Sequence, residues 1–178
     1  MTTPDAISFL DKTLRYKADR ADKNDGLPQD VYLFVSRSTP LVCVDLWVQD
    51  KQGVLLSWRN DAIYGQGWHV PGGIVRYKET FEHRLQKTAE NELGCPVTFD
   101  PKPMTIEELI VQDRENCGHI IAFLYRCFIP KDYAPDNHGK TACDAGYLQW
   151  HKTCPKNLLN VQNYYRGFFA AGDLGSLN

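Results

Sequence analysis

The segment Pro71–Cys95, PGGIVRYKETFEHRLQKTAENELGC, carries the strongest structural signal in this chain. It is a Gly-rich turn that leads directly into a helical pattern. Thr80 is suited to the N-cap, because its hydroxyl can accept a hydrogen bond from a free backbone amide. Gly94 followed by Pro96 is typical of a helix end. The pattern therefore predicts a helix over Phe81–Leu93.

One acidic residue of this helix lies next to its apolar side. At about 100° per residue, Leu85, Ala89 and Leu93 form the stripe that should be buried. Glu92 falls at the edge of that stripe. Because a buried, unpaired charge is costly, Glu92 must be neutralised, pair with a base, or face a cation beside the Gly72-Gly73 turn.

This arrangement resembles the Nudix box, in which Gly, five residues, Glu and seven residues precede the sequence Arg-Glu-aliphatic-any-Glu-Glu-any-Gly-aliphatic. The positions in register are Gly73, Glu79, Glu92 and Gly94. The centre of the box differs, because Lys87-Thr88 replaces Arg-Glu and Asn91 replaces the first paired Glu. The resemblance implies an α/β fold, namely an α/β/α sandwich with a mixed β-sheet.

The box also implies a metal site. Gly72 and Gly73 would let the backbone turn a carbonyl oxygen towards an ion, and Glu92 would supply a carboxylate. Mg²⁺ is the expected ion, since it accepts carboxylate, carbonyl and phosphate oxygens and keeps water on its other positions. Only this carboxylate of the usual ligand set is retained, so the helix is equipped for a single ion. The alternative is a plain strand-to-helix turn.

Within the superfamily, the chain is similar to the GDP-mannose mannosyl hydrolases. The similarity includes Arg37–Val42, RSTPLV, then Asp45, and then Gly65–Gly73, GQGWHVPGG, within a match over about Leu27–Trp150. This subfamily resemblance implies that water attacks the anomeric carbon of a nucleotide sugar and that GDP leaves. It also implies a homodimer.

Several residues are candidates for substrate binding. By the resemblance, Arg59 corresponds to a phosphate-binding arginine, whose planar fork suits a pyrophosphate. Asp30 corresponds to a substrate-contacting acid near the dimer interface. Ile74 replaces the subfamily's arginine after the Gly pair. Lys87 would still supply charge at the box's arginine position, and Arg76 is a candidate to replace the missing guanidinium.

The general base has two candidates. A group must take a proton from water as it attacks the sugar, and histidine suits this task near pH 7. By the resemblance, the base lies in the loop before the last strand, where Pro135–His138 makes His138 the first candidate. Asp144 competes as base or third metal ligand. Asp45 is either a reaction-site residue or a buried structural carboxylate. The histidines expected to lie at the surface or in packing positions are His69, His83 and His151.

Composition limits the class of protein. The chain has 178 residues, of which 43% are hydrophobic and 24% charged, with a net charge of -2. These values are typical of a globular protein and argue against a nucleic-acid partner. No signal peptide or membrane span is visible, so a cytoplasmic protein without a membrane partner is expected. The six cysteines lack zinc-finger spacing and are expected to be reduced.

The order of elements predicts two regions. Residues 1–28 comprise a helix over Pro4–Tyr16 and a linker over Ala18–Pro28, and residues 29–178 form a single Nudix domain. An apolar run, Val31–Val35, precedes the first strand. The strands are predicted at Leu41–Val48, Val54–Trp58, Thr105–Val111, His119–Phe128 and Tyr147–Trp150, followed by one or two helices in Pro155–Ala171. The aromatic residues assigned to the core are Trp47, Trp58, Tyr64 and Trp68.

Two other functions are compatible with these residues. A pyrophosphohydrolase of the same fold would attack phosphorus and release a nucleoside monophosphate, although the missing box carboxylates count against it. A catalytically inactive nucleotide-binding domain is compatible with the changes at Lys87, Thr88 and Asn91. The retained Glu92 and Arg59 argue against that function.

Overall fold

The computed structural model of the protein describes residue 8 and residues 27–170, with Ala170 described by its backbone alone. Apart from residue 8, the predicted N-terminal helix lies outside these residues, as does most of the predicted linker. The chain divides into two compact units. They are Met1–Leu41 with Ile110–Ile120, and Val42–Leu109 with Ile121–Asn178.

The described part of the first unit is built on helix α1, Gln29–Ser38, which contains the apolar run at Val31–Val35. The hydroxyl of Tyr32 lies 2.9 Å from the sulfur of Cys117. Arg37 forms an exposed ion pair with Glu115, at 3.2 Å. These contacts connect α1 to the turn that precedes His119.

The described strands form one sheet. They are β1 Leu41–Asp50, β2 Gly53–Asp61, β3 Gly65–His69, β4 Gly72–Ile74, β5 Thr98–Phe99, β6 Thr105–Ile110, β7 His119–Phe128 and β8 Leu148–His151. The strand order is β3-β2-β1-β7-β5, with β4 also pairing with β1, β6 with β7, and β8 with β2. The predicted strands are confirmed to within a few residues at each end.

One face of the sheet packs against helix α2, Phe81–Leu93. Successive side chains of a strand point to opposite faces, so alternate residues of β1 and β2 share this side. The buried residues of this layer include Val44, Leu46, Val48, Leu55, Leu85, Ala89 and Leu93. The predicted apolar stripe of the helix is confirmed.

The opposite face packs against a 3₁₀ helix, Asn160–Tyr165, and the short helix α3, Arg166–Ala170. This layer is rich in aromatic residues. It includes Trp47, Leu56, Trp58, Trp68, Tyr165 and Phe169. The three tryptophans are core residues as predicted, whereas Tyr64 is only half-buried. The two layers around a mixed sheet confirm the α/β/α sandwich.

The ends of α2 follow the local sequence signals. The hydroxyl of Thr80 accepts a hydrogen bond from the backbone N–H of His83 at 3.1 Å. Gly94 ends the helix in the left-handed region, with φ of 71°, where a side chain would be strained. In the described part of the chain, no helix has the length and apolar character needed to cross a membrane.

Candidate active site

A cleft of about 260 Å³ lies in the second unit, at the C-terminal end of α2. Its walls come from β2, β3, α2 and the loop before β8. The polar side chains that line it include Ser57, Arg59, His69, Asn91, Glu92 and Lys140. It therefore combines two cations, a histidine and the carboxylate that the box retains.

The strand register explains this grouping. In the antiparallel pair of β2 and β3, Ser57 lies opposite His69, and Trp58 lies opposite Trp68. The two tryptophans point into the aromatic layer of the core. Because side chains alternate along a strand, Ser57, Arg59 and His69 point to the other face, where α2 lies.

Glu92 is paired with a base and with the Gly turn. One carboxylate oxygen lies 3.2 Å from Nε2 of His69, and the other accepts a hydrogen bond of 3.3 Å from the backbone N–H of Gly72. The side chain of His69 is 6% exposed and that of Glu92 is 22% exposed. Of the alternatives expected for Glu92, the structure thus shows pairing with a base, beside the Gly72-Gly73 turn. The sequence predicts His69 at the surface or in a packing position, whereas the structure places it in the cleft. Its alternation with Trp68 and Val70 is the signal that indicates the helix face.

A buried carboxylate lies on the other side of this turn. Asp45 pairs in register with Gly72, and a Cβ atom added to Gly72 would collide with the Asp45 carboxylate. The hydroxyl of Tyr165 donates a hydrogen bond of 2.7 Å to Asp45. Burial raises the pKa of Asp45 to about 7 despite this hydrogen bond; the charge of Glu92 adds to the increase and that of Arg59 opposes it. Position 72 therefore has no room for a side chain beside the Asp45 carboxylate.

Gly73 is also closely packed, in this case against Thr88. A Cβ atom at Gly73 would collide with the Thr88 hydroxyl oxygen. Thr88 is 4% exposed, and its hydroxyl has no hydrogen-bond partner among the described residues. Thr88 and Glu92 are four residues apart and so lie on the same face of α2. A hydroxyl and a carboxylate therefore face the Gly turn together.

These oxygen groups are suited to a Mg²⁺ ion that is bound through only a few protein side chains. Within residues 27–170, no group of three or more His, Cys, Asp or Glu side chains is arranged to hold a metal. Mg²⁺ is often bound through one or two carboxylates, with substrate phosphates and water completing its shell. The Glu92 carboxylate, the orphaned Thr88 hydroxyl and the close-packed Gly72-Gly73 backbone match that requirement.

The first glutamate of the box has a structural partner. Glu79 lies 2.8 Å from Nε of Arg84 and 2.7 Å from Nδ1 of His83, and it accepts a 2.8 Å hydrogen bond from the backbone N–H of Arg76. Burial alone would raise the pKa of Glu79, but the hydrogen bonds from Arg84, Arg76 and His83 hold it below its usual value. Glu79 thus connects the loop after β4 to α2.

The predicted phosphate-binding residues occupy different places. Arg59 lines the cleft, where its Nε lies 3.4 Å from Asp61 and its guanidinium stacks 5.0 Å from the ring centre of Tyr64. Lys87 forms an ion pair of 2.8 Å with Glu90 and is not among the residues that line the cleft. Asp30 is exposed in the first turn of α1, in the first unit.

The two candidate bases lie in the loop before β8. The backbone N–H of His138, an exposed residue, donates to Asp136. Asp144 accepts hydrogen bonds from the backbone N–H and the hydroxyl of Thr141, which lower its pKa. Neither side chain lines the cleft, whereas Lys140 of the same loop does. No local pattern in the sequence predicts that Lys140 reaches the cleft, because such a pattern does not show how a long loop folds back.

Comparisons with known proteins agree with this architecture. No family model matches the chain. It is similar to the low-salt glycan biosynthesis protein Agl8 of Haloferax volcanii, with 37% identity over 90 residues, which are 50% of this chain and 58% of Agl8. The chain thus matches little more than half the length of that relative.

Solved structures extend the similarity to most of the chain. A MutT Nudix hydrolase from Burkholderia pseudomallei aligns with a TM-score of 0.57 at 19% identity, over 72% of this chain and 97% of its own. A possible asymmetric diadenosine tetraphosphate hydrolase from Jonesia denitrificans aligns with a TM-score of 0.55 at 22% identity, over 78% and 99%. A UDP-X diphosphatase gives a TM-score of 0.53 at 14% identity, over 94% and 91%. At these identities the similarity concerns architecture, and with the sandwich and the Gly turn described above it shows that this chain has the Nudix fold.

Proposed function

We propose that the protein is a Mg²⁺-dependent hydrolase of a nucleotide sugar, resembling GDP-mannose mannosyl hydrolase. In this reaction, water attacks the anomeric carbon of the sugar, and the nucleoside diphosphate leaves. The observation that carries the proposal is the placement of Glu92 and Arg59 in one cleft, with Glu92 hydrogen-bonded to the Gly72 turn. The name of Agl8 connects that protein with glycan biosynthesis, which supports a sugar-containing substrate here.

The roles of the residues follow from their chemistry. Glu92, the Thr88 hydroxyl and the Gly72-Gly73 backbone would hold Mg²⁺, and the ion when bound supplies positive charge that makes the diphosphate a better leaving group. Arg59 presents a planar guanidinium to phosphate oxygens. His69 holds the Glu92 carboxylate in place from β3. These groups come from β2, β3, β4 and α2 of the second unit, so the fold itself assembles the site.

His138 is the proposed general base. Its loop borders the cleft through Lys140, two residues further along the chain. Asp144 is less suited to this role, because its carboxylate accepts hydrogen bonds from both the backbone N–H and the hydroxyl of Thr141 within the loop. The proposal therefore assigns proton abstraction to the loop before β8.

A phosphorus-attacking pyrophosphohydrolase is less well supported. Thr88 and Asn91 occupy two positions where the box has carboxylates, and Asp45 is enclosed behind Gly72 with Tyr165 as its partner. Attack at phosphorus with several divalent ions needs more carboxylates around the phosphates. Attack at carbon needs the diphosphate to be bound and neutralised and a base to take the proton from water, and neither task requires further carboxylates around the phosphates.

The experiment is a substrate panel with mass-spectrometric identification of products. Purified protein with Mg²⁺ is incubated with GDP-mannose, GDP-glucose, UDP-sugars and ADP-sugars. The proposal predicts a nucleoside diphosphate and a free sugar from at least one of them. A nucleoside monophosphate with a sugar phosphate would contradict it.

Two variants separate catalysis from binding. Glu92→Gln removes the carboxylate charge and should lower turnover by about a thousandfold or more while the fold is kept. Glu90→Gln is the matched control, because Glu90 is exposed and pairs with Lys87 outside the cleft. If the wild-type protein binds nucleotide but hydrolyses none of the nucleotide sugars tested, it is a nucleotide-binding domain and not a hydrolase.

A further inference from the structure

The loop before β8 brings an ammonium group to the cleft. Nζ of Lys140 donates a hydrogen bond of 3.0 Å to the carbonyl oxygen of Gly146. The N–H of Gly146 donates one of 2.8 Å to the carbonyl oxygen of Trp58 on β2. Because Trp58 directly precedes Arg59, these two hydrogen bonds in series fix Lys140 beside the arginine of the cleft.

The loop itself has a defined conformation. The amide side chain of Asn137 exchanges two hydrogen bonds of 2.8 Å with the backbone of Leu148, at the start of β8. The carboxylate of Asp144 accepts hydrogen bonds of 2.6 and 2.8 Å from Thr141. Lys140 lies between Asn137 and Asp144, so these hydrogen bonds fix the backbone from which its side chain reaches the cleft.

Lys140 differs in its partner from Arg59, the other cation of the cleft, and from Lys87. Arg59 forms an ion pair with Asp61, and Lys87 forms one with Glu90. In the described part of the chain, no carboxylate forms an ion pair with Lys140, whose hydrogen bond goes to a carbonyl oxygen. An ammonium group carries three donors, so two are left to bind an anion that enters the cleft.

We propose that Lys140 and Arg59 form the anion-binding side of the cleft and contact the diphosphate of the ligand, the role that the sequence assigned to Lys87. The inference rests on the proposed function for the identity of the ligand, a nucleoside diphosphate or its sugar ester. The carboxylates in the cleft are already paired, Asp61 with Arg59 and Glu92 with His69. The ammonium group of Lys140 is therefore the charged group of the described cleft that has no carboxylate partner.

The test is calorimetric binding of GDP, UDP, ADP and inorganic pyrophosphate, in Mg²⁺, to wild type and three variants. Lys140→Met should weaken binding of the preferred diphosphate by about tenfold, the usual effect of losing one charge-assisted hydrogen bond. Lys140→Arg should restore most of the affinity. Lys131→Met should bind within about twofold of wild type, since Lys131 is also an exposed lysine but lies outside the cleft. The salt dependence of binding should decrease only in Lys140→Met.

Equal affinity of Lys140→Met and wild type would overturn the inference, and so would a wild-type protein that binds none of the four diphosphates. All variants change exposed side chains, and an unchanged Tm verifies that they fold. Turnover is measured separately on the substrate panel. Diphosphate binding that depends on Lys140, without release of sugar from any nucleotide sugar, would contradict the proposed function and leave the role of Lys140 standing.

Discussion

The carboxylate of Glu92 lies 3.2 Å from Nε2 of His69, so the end of α2 and the end of β3 meet in the candidate site. The ring of His69 is almost fully buried, and this contact orients the carboxylate that the box retains. Groups that hold a metal ligand in place commonly change metal affinity or activity by about 10- to 100-fold when they are replaced. His69 is therefore expected to act on the site through Glu92.

The first prediction concerns this pair. His69→Phe keeps an aromatic ring but removes the contact, and should weaken the dependence of Tm on Mg²⁺ and lower kcat by about tenfold. His69→Gln keeps a hydrogen-bonding group and should retain more of both. His83→Phe is the control, because His83 also pairs with a carboxylate, Glu79, away from the cleft. An unchanged Mg²⁺ titration of His69→Phe would show that the pair does not position Glu92.

The second prediction concerns the Gly turn. Gly72→Ala adds a methyl group where the Asp45 carboxylate lies, and Tyr165 holds that carboxylate in place. The crowding should lower the free energy of unfolding by about 1–3 kcal/mol. It should also reduce turnover, because the Gly turn is displaced. Gly167→Ala, with open space around its Cβ position, should leave both nearly unchanged. Urea unfolding and initial rates measure the two effects, and equal stability of the two variants would refute the close approach.

The third prediction concerns the buried hydroxyl of Thr88. Thr88→Val keeps the shape of the side chain and removes the oxygen. Without Mg²⁺, the variant should be as stable as wild type or more stable by about 1 kcal/mol, because an unsatisfied buried polar group is removed. With Mg²⁺, the increase in Tm should be smaller in Thr88→Val than in Thr88→Ser. The same Mg²⁺ response in both variants would show that the hydroxyl does not face the ion.

The fourth prediction concerns pH. The ring of His151 packs 4.4 Å from that of Trp68, and burial holds the pKa of His151 below its usual 6.5. The unfolded chain therefore binds a proton more readily than the folded protein does. The stability that His151 contributes is present above about pH 6.5 and is lost as the pH falls through the lowered pKa.

This effect is isolated by comparing wild type with His151→Phe in urea unfolding between about pH 5 and pH 8. The free energy of unfolding of wild type should decrease more on acidification than that of the variant. Parallel curves would show that His151 is not protonated preferentially in the unfolded chain. The other histidines contribute equally to both proteins and cancel in the difference.

Much of the fold follows from local signals. Helix α2 begins after Thr80 and ends before Gly94 as predicted, because the cap and the left-handed glycine act within a few residues. The strands β1, β2, β6, β7 and β8 follow apolar runs bounded by turns. Helix α1 was not assigned, because an apolar run as short as Val31–Val35 has no clear period.

The candidate site was only partly predictable. Glu92, Gly72 and Arg59 fall on motif positions, and the structure places them in or beside one cleft. His69 and Lys140 reach the same cleft through a strand register and a folded loop, which depend on residues far away in sequence. Lys87 occupies a motif position, but it pairs with its helical neighbour Glu90. Motif spacing therefore identified the carboxylate Glu92, but it did not identify Lys140, whose position depends on how a loop folds.

Attack of water at carbon, with Glu92 as the retained carboxylate, is tested by following ¹⁸O from labelled water into the products. The wild-type protein is incubated in H₂¹⁸O with Mg²⁺ and the nucleotide sugar that it consumes, and both products are weighed by mass spectrometry. Attack at the anomeric carbon predicts ¹⁸O in the free sugar and none in the nucleoside diphosphate. Label in a phosphate group, together with a nucleoside monophosphate, would contradict it.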